Sequence, residues 1–276
     1  MFVRRMAAWV VPSTKMADGI LKEKKAFKKL LQQGYDIERD GTRNLVKTKL
    51  GSEDVQVSLR RYSSDLAVFH QIVVQKEYDP VITFIKQNGG ENSIRRIVDA
   101  GANIGLTTVH LKKVFGAAEI VAIEPDAKNY AMLVRNIQLN GLDHVTPIQA
   151  AVWHKNEQLF LSSDFRDGKE WSISVNSKKQ NENSGSVRGL EIVEIMKMQG
   201  FEAIDLLKID IEGAERFLFT DKKTAGAFLS VTRFLAMEIH NEYNIRETIE
   251  GILQASGFEY FFAGELIIGK NTLLNK

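Results

Sequence analysis

The chain contains no cysteine. Disulfides, thiolate zinc sites and cysteine nucleophiles are therefore excluded, and a reducing compartment is the expected setting. Long apolar runs are also missing. At the start only Met6–Val11 is continuously apolar, and Pro12 ends the run. That is short of a signal-peptide core and far short of a membrane span. No later segment is long enough to cross a bilayer, so the expectation is a soluble, cytoplasmic protein. A large excess of charge is missing as well, since the net charge is +2.

That small total hides an asymmetry. Residues 1–50 carry 12 Lys/Arg against 5 Asp/Glu, which leaves the remainder net acidic. The basic part centres on "LKEKKAFKKLL". It reads either as a patch for anionic lipid or nucleic acid, or as the solvated face of a helix. A charge run alone rarely names a partner, so the second reading is preferred, with Ile20, Phe27, Leu30 and Leu31 packing on the main body. A length of 276 residues suits one large domain with a small appendage.

The appendage is expected over residues 1–75, with the main domain over 76–276. Residues 17–33 read as a helix ending near Gly34. "NLVKTKLGSEDVQVSLRRY" reads as a hairpin, because Val55, Val57 and Leu59 alternate with polar residues. "DLAVFHQIVVQKEYDPVITFIKQNG" reads as one or two helices, broken near Pro80. From Ile94 onward short apolar strands alternate with helices: "RRIVDAG", "LTTVHLKKVFG", "EIVAIEP", "AKNYAMLVRNIQLNG", "VTPIQAAVW". That rhythm predicts an α/β fold with a doubly wound, mostly parallel sheet. Across residues 156–192 the pieces "LFLSSDF", "EWSISV" and "SVRGLEIVE" read as an antiparallel excursion with a polar loop, "NSKKQNENSGS". Afterwards the alternation resumes, and "FEYFFAG" with "ELIIGKN" reads as a closing hairpin.

The stretch "IVDAGANIGLTT" (97–108) carries the first functional signal. In a doubly wound sheet ligands lie at the carboxyl ends of the strands, against a glycine turn. The dinucleotide fingerprint is one residue longer and presents helix-terminal amides to a pyrophosphate. Here Gly101-x-Asn103-x-Gly105 is shorter, which suits an adenosine-bearing cofactor without phosphate, such as S-adenosylmethionine. Glu124 ends the second strand 19 residues after Gly105. An acid there accepts hydrogen bonds from both ribose hydroxyls. Asp126 and Tyr130 follow, where the adenine would lie.

"VDAGANIGLTT", "IEPD", "NIQLNG" and "IDLLKIDIEGAE" together resemble the FkbM-type methyltransferases, a class I S-adenosylmethionine-dependent family with a Rossmann-like, seven-stranded sheet. The resemblance extends over about residues 60–269, including "YSSDLAVFHQIVVQKEY" upstream. It implies methyl transfer to a hydroxyl of a sugar or small metabolite. The cofactor set on this reading is Asp99, Gly101, Ala102, Asn103, Gly105, Thr107, Glu124, Pro125, Asp126, Tyr130 and Ala151.

The strand "DLLKIDIEG" is chemically odd. Alternation puts Lys208, Asp210 and Glu212 on one face, yet a strand inside a parallel sheet is normally apolar on both. Buried charges need partners, so the other reading of Lys208 is a structural ion pair with Asp210 or with an acid on a neighbouring strand. "FLAMEIHN" repeats the pattern with Glu238 and His240. If the two strands are neighbours, Asp210, Glu212, Glu238 and His240 converge. They form either a proton-accepting cluster or a divalent metal site. D-x-E and E-x-H are not diagnostic ligand spacings, so the metal-free reading is preferred. Asp210 or His240 then takes the hydroxyl proton, and Lys208 and Glu212 orient the acceptor. Trp171, Ser172 and Ser174 in the excursion are candidate acceptor contacts. The other histidines, His70, His110, His144 and His154, form no ligand spacing.

Two rivals remain. An RNA ribose 2′-O-methyltransferase is kept open by the basic amino-terminal segment. Methylation of base amines commonly needs an Asn/Asp-Pro-Pro-aromatic loop where this chain has "DIEG", and cytosine C5 methylation needs a cysteine. A non-catalytic binding protein would be expected to lose the turn, the ribose acid or the strand charges, all of which are present. The short turn disfavours a nicotinamide dehydrogenase. The acceptor, metal dependence and oligomeric state are not encoded in any motif.

Overall fold

A computed structural model describes residues 14–90, 92–162, 174–176, 185–220, 222–240 and 243–274. Helix α1 (Thr14–Gln32) leads into β1 (Asp36–Asp40), β2 (Arg43–Leu50) and β3 (Glu53–Arg60), an antiparallel sheet in that order. Helix α2 (Asp65–Phe69) continues as a π-helical turn (His70–Val74), and α3 (Asp79–Gln87) follows. Then come β4 (Arg96–Ala100), α4 (Leu106–Val114), β5 (Glu119–Ile123), α5 (Ala127–Leu139) and β6 (Val145–Ile148). The excursion comprises β7 (Ala151–Val152), β8 (Glu157–Ser162), β9 (Ser174–Asn176) and β10 (Ser186–Leu190). After it come α6 (Ile192–Gln199), β11 (Ile204–Ile209), α7 (Glu215–Leu218), α8 (Lys222–Leu229), β12 (Thr232–Glu238), α9 (Arg246–Ala255), β13 (Phe258–Ala263) and β14 (Leu266–Asn271).

The main sheet has seven strands in the order β13-β14-β12-β11-β4-β5-β6. Only the β13–β14 and β14–β12 pairings are antiparallel within it. The chain winds from β4 outward to β6, then returns to lay β11 on the other side of β4. That reversal opens a crevice at the carboxyl ends of β4 and β11, where ligands bind in such sheets. Successive strand residues feed opposite layers. Ile97, Ile120 and Leu206 join one apolar cluster with the amino-terminal elements, α3 and α4. Val98, Val121 and Leu207 join another with α6, α8 and α9.

The amino-terminal sheet is fastened to α5 by asparagines. Asn140 exchanges hydrogen bonds with both backbone groups of Gln56 (3.0 and 2.8 Å). Asn136 accepts from the Ser58 N–H at 2.8 Å. The outer edge of β3 is thereby covered, which removes a template for mispairing.

Several expectations change. The sheet has an extra strand, β1, whose residues "DIERD" are mostly exposed and so carry no apolar alternation. The break expected near Pro80 is present, since the π-helical turn ends at Val74 and α3 opens at Asp79; Pro80 lies in the first turn of α3, where its missing N–H has no intrahelical role. "EIVE" begins α6 rather than ending a strand. Leu31 is 55% exposed, while Leu30 is buried and Phe27 partly so. A step of one residue turns the side chain about 100° away from the packed face. Lys24, Lys25, Lys28 and Lys29 are exposed. The side chain of Ile20 lies outside the described residues, as do the loop residues 177–184, Trp171, Ser172 and the side chain of Ser174. Among the described residues no helix is long and apolar enough to cross a membrane.

Candidate functional site

The turn after β4 depends on its glycines. Gly101 and Gly105 have φ of 81° and 85°, and Asn103 between them has 50°. All three lie in the left-handed region that glycine and asparagine tolerate best. A Cβ on Gly101 would collide with the Asp210 carbonyl, and one on Gly105 would lie 2.6 Å from Leu133 Cδ1. The first glycine thus lets β4 and the end of β11 close together, and the second lets α4 start against α5.

Glu124, at the end of β5, is buried. Its carboxylate accepts from the backbone N–H of Asn103 (2.8 Å) and of Asp126 (2.9 Å), and from Asn129 Nδ2 at 3.4 Å. Burial outweighs these hydrogen bonds and pushes its pKa up to about 7. Asp126 caps α5 by accepting from the N–H of Lys128 and Asn129, both at 2.9 Å. Pro125 and Tyr130 are half-buried beside it. Ala151 instead packs in the excursion's cluster with Trp153 and Leu159.

The charged face of β11 resolves into two parts. Lys208 is in register with Asp99 on β4. Its Nζ is 3.1 Å from Asp99 Oδ1 and donates to the Gly101 carbonyl at 2.6 Å. Burial opposes its charge, but Asp99 and Asp210 outweigh burial and raise its pKa. Thr108 completes Asp99 with a 2.6 Å hydrogen bond. The structural ion pair is therefore present, and it holds the base of the turn.

The second part lies at the strand ends. His240 Nε2 is 3.4 Å from Glu212 Oε2 and 3.5 Å from Glu238 Oε1. Its Nδ1 is 2.7 Å from Oε1 of Glu215, a fully buried acid that also accepts from the Ile211 N–H at 3.3 Å. The four expected groups do converge, and Glu215 is a fifth. Asp210, Glu212 and His240 each offer one ligand atom, all within 4.8 Å of one another. That spacing fits a divalent cation as well as proton transfer.

Both parts line one cavity of about 250 Å³. Gly101, Ala102, Asn103 and Thr107 form one wall; Lys208, Asp210, Glu212 and Glu238 form another. The roof comes from Gln71, Ile72, Glu77 and Tyr78, and Glu265 reaches in from the β13–β14 turn. Sequence reasoning missed Glu77, Tyr78, Glu215 and Glu265. Burial and the charge of Asp210 raise the pKa of Glu77, and the same two causes raise Glu238 to about 8. The excursion abuts this corner, since Trp153 packs at a tilt on Phe217 with 4.4 Å between ring centres and lies in one cluster with Ala214. A wider groove of about 830 Å³ runs between the end of α1, β2 and α5. It lies away from the strand ends and gathers none of these groups. Of the remaining histidines, His110 is buried 3.7 Å from Asp79 and His154 stacks on Phe217.

The His240–Glu215 pair has a pH signature. Burial alone would lower the His240 pKa, but the Glu215 hydrogen bond and charge, with Asp210 and Glu238, raise it to about 9. A raised histidine contributes stability that is complete below its unfolded value near 6.5 and is lost as pH rises through about 9. Thermal melts from pH 6 to 10 should show that loss. Glu215→Gln should move the loss toward lower pH, and an unchanged pH dependence would refute the pairing.

The sheet order and glycine turn are those of class I S-adenosylmethionine-dependent methyltransferases. More specifically, the family model for the Methyltransferase FkbM domain matches residues 99–260, and the chain belongs to that family. It is 31% identical over 191 residues to methyltransferase sdnD of Sordaria araneosa, covering 59% of this chain and 73% of that one. It is 26% identical over 209 residues to 2-O-methyltransferase NoeI of Sinorhizobium fredii (strain NBRC 101917 / NGR234), covering 71% and 76%. The cofactor of the family is S-adenosylmethionine. The residues fit it: the glycine turn leaves bare backbone at the cavity wall, and the buried carboxylate of Glu124 accepts from the Asn103 N–H of that turn.

Proposed function

We propose that this methyltransferase acts on a hydroxyl of a sugar or small metabolite. One observation carries the reading: the cofactor turn and the acidic cluster share one small cavity. The name of the relative NoeI, a 2-O-methyltransferase, agrees with it. S-adenosylmethionine, when bound, supplies a methyl group that needs no further activation. The protein then has to orient the acceptor oxygen and remove its proton. Asp210 is the favoured proton acceptor. Its backbone N–H is fixed to the Ala100 carbonyl at 3.0 Å, beside the turn, and its half-buried side chain faces the cavity. His240 is protonated at neutral pH because of Glu215, so it serves as the cation that holds Glu212 and Glu238 in place. Lys208 keeps the turn closed, and Glu124 accepts the ribose hydroxyls.

The cavity wall speaks against an RNA acceptor. Asp210, Glu212 and Glu265 line it, and carboxylates repel a phosphate backbone that basic side chains normally neutralise. A divalent cation on Asp210, Glu212 and His240 is a second reading, favoured by their spacing. Loss of methyl transfer on dialysis against EDTA, restored by Mn²⁺, would establish it.

The first test is calorimetric titration with S-adenosylhomocysteine, beside NADH and with Glu124→Ala as control. S-adenosylhomocysteine should bind and NADH should not. With Glu124 raised to about 7, affinity should climb from pH 6 to pH 8 as the carboxylate ionises and can accept hydroxyl protons. Glu124→Ala should weaken binding and flatten that climb. Labelled methyl transfer to a panel of sugars, but not to RNA, should follow. Transfer to RNA alone would reverse the acceptor assignment.

A further inference from the structure

The family match begins at Asp99, yet a residue well before it reaches toward the ribose acid. Asn129 is buried in the first turn of α5. Its Oδ1 accepts from Arg60 Nη2 at 2.7 Å. An amide that accepts on one side presents its two donors on the other, and Asn129 Nδ2 lies 3.4 Å from Glu124 Oε1.

Arg60 is itself held firmly. Its guanidinium forks onto Asp65, with Nη2 to Oδ1 at 2.6 Å and Nε to Oδ2 at 3.0 Å. Its backbone N–H donates to the same Asp65 Oδ2 at 2.7 Å. Asp65 is fully buried. A bidentate pair of this kind fixes orientation as well as charge. The guanidinium cannot turn away, so the amide cannot flip without losing a charge-assisted hydrogen bond. Two turns further along α5, Asn136 accepts from Ser58 N–H and donates to the Ile104 carbonyl at 2.8 Å. The same strand thus reaches the glycine turn through a second amide.

We propose that Arg60 and Asn129 are positioning residues for Glu124, so that the amino-terminal segment sets cofactor affinity from outside the family domain. The proposal rests on the reading that Glu124 holds the ribose. With Arg60 in place, Asn129 can only donate to Glu124, and donation favours the carboxylate over the carboxylic acid. The other charges around Glu124 are Asp126 at the start of α5, which opposes ionisation, and Lys208 on β11, whose charge interacts with it.

The test is the affinity of the full chain for S-adenosylhomocysteine, measured by calorimetry from pH 5.5 to 8.5. Wild type should bind more tightly as pH rises, with a midpoint near 7. Asn129→Leu should move the midpoint upward, cutting affinity at pH 7 by about 5- to 10-fold and far less at pH 8.5. Asn129→Asp keeps the acceptor for Arg60 but replaces the donor with a second acid, and should move the midpoint further. Because Arg60→Met alone strands buried Asp65, the double variant Arg60→Met/Asp65→Leu is the arginine test. It should reproduce the shift of Asn129→Leu. A purely structural role would lower affinity equally at every pH, and that result overturns the proposal. Wild-type binding that ignores pH, with Glu124→Ala harmless, overturns the ribose reading and this proposal with it. A pH-dependent wild type whose midpoint stays put in all three variants overturns this proposal alone.

Discussion

Gly101→Ala should lose S-adenosylhomocysteine binding, with an affinity drop of about 100-fold or more. The reason is local and twofold. An alanine at φ of 81° pays the left-handed penalty of roughly 1–2 kcal/mol. Its Cβ also has no space, because it would collide with the Asp210 backbone carbonyl, which cannot swing aside like the end of a side chain. That carbonyl belongs to the residue whose N–H is bonded to Ala100. Relief therefore requires β4 and β11 to part at their carboxyl ends. Parting them moves both walls of the cavity and separates Lys208 from Asp99 and from the Gly101 carbonyl. Gly116→Ala is the control, since Gly116 has open space around its Cβ position and no positive φ. Calorimetry of both variants, with circular dichroism to confirm folding, decides the matter. A folded Gly101→Ala protein that binds normally would show that the turn does not contact the cofactor.

The same residue shows what was legible in the sequence. A glycine after an apolar strand marks a tight turn, and its spacing to Gly105 and Glu124 is visible along the chain. Its dependence on Asp210 is not, because that contact joins positions far apart in sequence. The alternation of strands and helices was legible because the central strands β4, β5, β11 and β12 are buried on both faces and helices such as α5 and α9 along one. Strand β1 was not, because an edge strand in solvent needs no apolar residues. Lys208, Asp210, Glu238 and His240 stood out as charges inside apolar strands. Glu215 did not, because an acid in the first turn of a helix is ordinary, and only the packing of α7 against β12 buries it beside His240. Glu77, Tyr78 and Glu265 arrive from the turn between the π-helical segment and α3 and from a hairpin turn, and neither position carries a chemical signature until the sheet brings them to one crevice.

Asp210→Asn should slow single-turnover methyl transfer by about 10²–10⁴-fold while leaving S-adenosylhomocysteine affinity within a few-fold of wild type. Asparagine keeps the size of the side chain and its place beside Lys208 but cannot take a proton at neutral pH. The loss should therefore appear in the rate and not in cofactor binding. His240→Ala should behave differently. It removes the positive charge facing Glu212 and Glu238 and leaves Glu215 buried without its partner, so folding stability should fall by several kcal/mol, and the rate with it. Glu215→Gln separates the two effects, because it keeps a hydrogen-bond acceptor for His240 Nδ1 and removes the charge. If Asp210 is the proton acceptor, Glu215→Gln retains much of the rate at neutral pH, while Asp210→Asn does not regain it at any pH between 6 and 9. If His240 is the acceptor instead, Glu215→Gln is as slow as His240→Ala, and Asp210→Asn turns over at nearly the wild-type rate. These outcomes are exclusive, so the three variants together assign the proton to one residue or the other.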